Sequence, residues 1–228
     1  PLTHSLGRTN PSRKSSTNET GTSLAAPAPA LYHERMTAAE ASTLTDGLGR
    51  RIDYVRLSLT DRCDMRCRYC MAEAMTFLPR AEVLTLDEIA ELARCFVARG
   101  VTRIRLTGGE PLARRGVVGL ARAIGTLRAQ GLDELTMTTN ATRLAEHAAG
   151  LRAAGIARIN VSLDTLDAAR FAHVTRTGDL ARVLGGIAAA KAVGLRIKIN
   201  MVALRGINDA EFVPMLRWCG EQGFDLSL

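Results

Sequence analysis

From Asp53 to the last residue, short β-type runs alternate with helical segments. This order confines the chain to parallel β/α units, because parallel neighbours need a crossover long enough to hold a helix. The runs fall at residues 54–59, 103–107, 134–138, 158–163, 196–204 and, as a beginning only, 224–228. One helix opens at Thr85 with Glu88 three residues on, a capping box, and is stopped by Gly100. Further helices fit residues 117–130, 144–154, 180–193 and 209–222, followed by Gly131, Gly155, Gly194 and Gly223, the residue that most readily takes the left-handed stop.

The strands are unusually polar for this class. Parallel strands covered by helices on both faces read as continuous apolar runs. Here every second residue is polar: Arg56, Ser58 and Thr60; Arg103, Arg105 and Thr107; Thr136, Thr138 and Asn140; Asn160, Ser162 and Asp164; Arg196, Lys198 and Asn200. With a side-chain period of two, each set lies on one face of its strand, while Leu57, Ile104, Leu106, Ile159, Val161, Ile197 and Ile199 suit packing against helices on the other. The polar face is expected to line a lumen. A packed barrel interior would be branched and apolar, so cations in this one imply water and an anionic guest such as a phosphate or carboxylate.

Composition narrows the partners. The 228 residues hold 46% hydrophobic and 4% aromatic side chains and carry a net charge of +7. No run approaches the length of a membrane helix, and neither a stacking platform nor a basic recognition helix is present, so membrane and nucleic acid are not expected as partners. Residues 1–45 are rich in Ser, Thr, Ala and Pro without periodicity and read as a disordered leader; residues 46–228 read as the folded part. Five cysteines are an odd number, and Cys63, Cys67 and Cys70 crowd into one short segment of a chain without a secretory signal. That is a metal-type pattern in a reducing, cytoplasmic setting rather than a disulfide framework. Cys95 and Cys219 sit among apolar residues of helices and are expected to be core thiols.

The spacing CxxxCxxC, directly after the first strand, supplies three thiolates, where an ordinary electron-transfer cluster takes four and structural zinc four ligands. Three thiolates can hold a four-iron cluster and leave one iron open. With Tyr69 before the last cysteine and Thr107-Gly-Gly-Glu-Pro111 one β/α unit later, the segment resembles the radical S-adenosylmethionine (SAM) superfamily. The runs Arg56-Leu-Ser-Leu-Thr-Asp-Arg-Cys63, Thr138-Thr-Asn140, Ile159-Asn-Val-Ser-Leu-Asp164, Lys198-Ile-Asn200 and Arg205-Gly-Ile-Asn208 closely resemble its MoaA-type GTP 3′,8-cyclases of molybdenum-cofactor synthesis.

The resemblance implies a partial (β/α)6 TIM-type barrel, ending in its sixth strand. It implies a 4Fe-4S cluster on Cys63, Cys67 and Cys70, and SAM contacts at Tyr69, Gly109 and Ser162. GTP contacts are implied at Arg56, Arg105, Thr138 and Lys198. The implied chemistry is reductive SAM cleavage to a 5′-deoxyadenosyl radical that starts cyclisation of GTP, with an electron donor of unknown identity and a further enzyme downstream. Gly109 is expected to admit backbone close to SAM where a Cβ would obstruct. Arg103 and Arg196, nearer the strand starts, are expected to serve stability. Ala141 stands where the family usually has glycine, and Asp64-Met65 replaces a commoner Asn-Phe. The family's second cluster region, with three more cysteines, is not within these residues. A non-catalytic remnant that binds cluster and SAM only is therefore the alternative reading.

Overall fold

The computed structural model describes residues 43–228, so the expected leader at residues 1–45 lies, but for its end, outside the described residues. Strands β1 (Tyr54–Ser58), β2 (Arg103–Thr107), β3 (Glu134–Thr139), β4 (Arg158–Ser162), β5 (Arg196–Asn200) and β6 (Asp225–Ser227) form one sheet in sequence order. Every pairing is parallel, and β1 and β6 are its edges. This is the open part of a barrel.

Helices α1 (Leu86–Ala98), α2 (Val117–Gly125), α3 (Leu144–Ala153), α4 (Ala168–Thr175), α5 (Leu180–Ala192) and α6 (Phe212–Gln222) lie between the strands. They bury the apolar alternates: Leu57, Ile104, Leu106, Leu135, Met137, Ile159, Val161, Ile197 and Ile199 are all buried in one continuous core. The capping box on α1 forms as expected, with the Thr85 and Glu88 amides each donating to the other's side chain at 2.7 and 3.2 Å. The glycines after the helices take positive φ, among them Gly131 at 110° and Gly223 at 72°. Two expected helices are shorter than their patterns. Residues 126–130 continue α2 as a 3-10 turn, and a 3-10 turn at Asp209–Glu211 precedes α6. Helix α4 was not expected; its start is marked by Asp167, whose side chain accepts the Arg170 amide at 2.7 Å.

The polar alternates occupy the face that the helices leave uncovered. Thr136 and Asn160 on that face are nonetheless 1% exposed each. Both lie in the middle strands of the sheet, where the side chains of neighbouring strands flank them on either side. Cys219 is a core thiol as expected, whereas Cys95 is only half-buried on the flank of α1, beside Glu91. Ala141 keeps the turn that glycine usually makes: it sits at φ 64° and is fully buried. Its carbonyl oxygen lies 2.4 Å from the Cβ direction of Gly186 on α5, which is what brings α5 so close to the end of β3. Replacing Gly186→Ala should therefore destabilise the chain by about 1–2 kcal/mol, overlap with backbone outweighing the gain in helix propensity. A urea midpoint at or above that of the unchanged chain would contradict this packing.

Candidate functional site

The expected site residues gather at the C-terminal ends of the strands and on the uncovered face, where β/α barrels carry their chemistry. Strand register arranges them in rows. Arg56, Arg105, Thr136, Arg158 and Arg196 are successive register partners across β1 to β5. Thr138, Asn160 and Lys198 form the next row, about 6.6 Å nearer the strand ends, and Ser162 with Asn200 the row beyond. All four expected substrate contacts thus share one face.

Their charges differ in partnership. Arg103 pairs with Asp53 at 2.7 Å, Arg158 with Glu134 at 3.6 Å and Arg196 with Asp225 at 3.9 Å. Among the described residues Arg56, Arg105 and Lys198 have no ion pair. The paired Arg103 and Arg196 are the two expected to serve stability. Moreover, Arg105 Nε and Thr138 Oγ1 are buried without a hydrogen-bond partner, as are Tyr54 Oη and Arg158 Nε on the same face. Buried polar atoms are normally satisfied, so among the described residues this face carries hydrogen-bonding capacity that the protein itself does not use.

Above it, the segment after β1 carries the three cysteines. Cys63 and Cys67 are half-buried against the core and Cys70 is exposed. Burial pushes the Cys63 thiol up and, with the neighbouring acidic and thiol groups, the Cys67 thiol up to about 12. Among the described residues no three ligating groups converge as a single ion requires. A cube that gives each thiolate its own iron makes no such demand. The Met65 amide lies 3.4 Å and Asn140 Nδ2 3.8 Å from Cys63 Sγ, N–H groups of the kind that tune cluster sulfurs. The donor set and its amide neighbours fit the cluster.

The root of this segment is fixed by the glycines after β2. The Gly109 amide donates to Thr60 O at 2.7 Å and the Glu110 amide to Arg62 O at 2.8 Å. A Cβ on Gly109 would lie 2.4 Å from Arg62 O, so it is the protein's own backbone that excludes a side chain here. This corrects the physical reason expected for that glycine. Tyr69 donates its hydroxyl to Asp164 at 2.7 Å, spanning from the cysteine segment to the end of β4. Burial, with Asp164 beside it, raises the Tyr69 hydroxyl so that it stays a donor. Asp164 is itself raised by burial, against the Val202 amide and Tyr69 hydroxyl that donate to it.

Sequence reasoning missed three residues that hold this arrangement. Glu110 is fully buried and accepts from Thr139 Oγ1 and the Asn140 amide, both at 2.7 Å, and from the Leu112 amide at 2.9 Å. Asn140 Nδ2 in turn donates to Asp64 at 2.7 Å. All three had been visible only as members of the quoted motifs, and Asn140 and Asp164 also of the polar alternation, with no role assigned.

Comparison with known proteins decides the family. Residues 57–219 match the model of the radical SAM superfamily. The chain belongs to the radical SAM superfamily. It is 60% identical over 188 residues to a GTP 3′,8-cyclase of Erythrobacter litoralis, covering 82% of this chain and 57% of the relative. It is 52% identical to one of Rhizobium etli, covering 84% and 55%. The chain spans about half the length of the curated relatives it matches. Among solved structures, Streptococcus suis SuiB bound to S-adenosylmethionine superposes with TM-score 0.62 at 20% identity over 76% of this chain and 39% of that one. Methylornithine synthase (PylB) superposes with TM-score 0.58 at 16% identity, over 82% and 54%. Both share the parallel β/α fold of this chain, which agrees with the partial barrel that the sequence led us to expect.

Burial raises the Glu110 carboxyl from the usual carboxylate range to about 7, against the three donors that favour its charged form. The unfolded group titrates near 4.5, so the cost of ionising it in the fold is absent below that pH and complete above 7. Stability should fall on the order of 3 kcal/mol from this group as pH rises across that window. Urea midpoints measured from pH 4.5 to 8 should lose this slope in Glu110→Gln; an unchanged slope in the variant would show that another group titrates.

Proposed function

We propose that this chain is the SAM-cleaving, substrate-holding part of a GTP 3′,8-cyclase. The observation that carries the reading is the set of unpaired cations, Arg56, Arg105 and Lys198, with the orphaned Arg105 Nε and Thr138 Oγ1, on the one face beneath the three-thiol segment. A triphosphate is the ligand such a face is suited to, since guanidinium groups give paired, charge-assisted hydrogen bonds to phosphate oxygens. The names of relatives at 52–60% identity support the same substrate.

Cys63, Cys67 and Cys70 would hold one 4Fe-4S cluster, which supplies the electron that cleaves SAM reductively. The other residues position and shield. Tyr69, on the cysteine segment, and Gly109 and Ser162, at the strand ends, would contact SAM. Arg56, Arg105, Thr138 and Lys198 hold the GTP below it and neutralise its charge. Among the described residues no helix is long and apolar enough to cross a membrane. We place the protein in a reducing compartment on the strength of its crowded thiols.

Because the chain spans 54–57% of the relatives' length, a second reading has support of its own: these residues bind cluster and SAM without turning over GTP. One experiment separates the two. Anaerobically reconstituted chain, given SAM and dithionite, should release 5′-deoxyadenosine and methionine. Cyclised nucleotide on addition of GTP supports the first reading, and SAM cleavage indifferent to GTP supports the second. Absence of SAM cleavage contradicts both. In the same preparation Arg105→Gln should weaken GTP binding about 10- to 100-fold, the effect of one charge-assisted hydrogen bond, while leaving SAM binding unchanged. Equal GTP affinity in the variant would remove Arg105 from the substrate site.

A further inference from the structure

The segment from Cys63 to Met71 has no strand or helix of its own, so its backbone polar groups must be satisfied from elsewhere. Part of that satisfaction is local, with the Cys70 and Met71 amides donating to Cys67 O and Arg66 Nη1 to Cys63 O and Met65 O, and part comes from the end of α4 and the residues just after it. The Arg66 amide donates to Thr175 O at 3.0 Å and the Arg68 amide to Val174 O at 2.9 Å, so the cysteine segment caps the open carbonyls of the helix. Thr177 Oγ1 donates to Asp64 O at 3.0 Å. Met65 is 3% exposed, and its methyl, with Phe171 and Thr175, crowds the Cβ direction of Gly178 just beyond the helix.

At the centre of this junction stands Arg176. Its backbone is at φ 62° and ψ −42°, with the Thr177 amide donating to Thr175 O at 2.8 Å. That is a γ-turn of the rare positive-φ kind, strained for any residue but glycine. Such strain persists only where the surroundings over-determine it. Here they do, through the side chain. Arg176 Nη1 donates to Arg66 O at 2.8 Å and to Met71 O at 3.3 Å. These are the carbonyls immediately before Cys67 and immediately after Cys70. One guanidinium nitrogen therefore ties together the two ends of the span that carries two of the three thiols. With Cys63, Asp64, Arg66 and Glu73, Arg176 also lines a cavity of about 430 Å³, and its one carboxylate partner among the described residues is the exposed Glu73 at 3.9 Å.

We propose that Arg176 is a positioning residue of the cysteine segment, whose guanidinium sets how firmly the thiols hold their cluster and at what potential the cluster is reduced. The proposal rests on the cluster reading above, but its first test does not. Arg176→Gly makes the turn without strain and removes the side chain that carries the guanidinium; Arg176→Lys keeps the charge but donates from a single point. In metal-free chain, hydrogen exchange at the Arg66 and Arg68 amides should quicken about 10-fold in Arg176→Gly, even though its overall unfolding midpoint equals or exceeds that of the unchanged chain. After anaerobic reconstitution, iron release to a chelator should quicken by a similar factor of about 10. The midpoint potential should fall in Arg176→Gly and stay near the original in Arg176→Lys, because loss of a nearby cation disfavours the added electron.

Exchange, iron release and potential in Arg176→Gly all within about 2-fold or the scatter of the unchanged chain would overturn the proposal. If the glycine variant fails to fold, exchange and iron release in Arg176→Lys decide, with values equal to the unchanged chain counting against the role. Should the unchanged chain take up no iron, the cluster reading fails, while the metal-free exchange result still decides whether Arg176 positions the segment.

Discussion

Three thiols on a stretch of chain with no secondary structure can be held in place only if other elements satisfy its backbone, and that constraint organises the site. Gly109 and Glu110 bind the segment's root from the end of β2, Tyr69 ties it to Asp164 at the end of β4, and the end of α4 caps its middle. Each of these elements starts or ends at the same rim of the sheet. The fold thereby turns the parallel register of its strands into a fixed position for the cysteines, with no regular structure spent on the segment itself.

Below that rim the sheet presents a polar face without a second layer of helices, on which Arg56 is exposed and Arg105 and Lys198 are half-buried. The distribution of charge there is informative because it is uneven. Cations with a carboxylate partner sit at the strand starts or in pairs such as Arg158 and Glu134, whereas those without one occupy positions expected to meet substrate. A guest bearing negative charge would offset the cost of gathering Arg56, Arg105 and Lys198, and would satisfy the donors of Arg105 and Thr138 that the protein leaves unpaired. In the proposed reading the same electrostatics would link the two halves of the site, SAM at the rim and an anionic nucleotide beneath it.

How much of this could be read beforehand follows from the kind of signal each feature leaves. The strands, their alternation and the glycine stops are local and periodic, so they were legible, and the two faces of the sheet came with them. Helix α4 was not, because its eight residues are too few for a convincing period and its Asp167 cap resembles an ordinary loop residue. Glu110 and Arg176 act through contacts with residues distant in sequence, Thr139 and Asn140 for one, Arg66 and Met71 for the other. No spacing rule reports such contacts. Gly109 was legible as a position that excludes a side chain, but only the fold shows that the excluding atoms belong to residues 61 and 62.

The central claim is a three-thiol site that holds a cluster with one iron left open for SAM. Iron and sulfide should be counted on the anaerobically reconstituted 228-residue chain, and the electron paramagnetic resonance spectrum of its reduced form recorded before and after SAM is added. The account predicts about four irons and four sulfides per chain and a spectrum that changes on addition of SAM. A chain that binds zinc in place of iron, or a cluster whose spectrum ignores SAM, would contradict it.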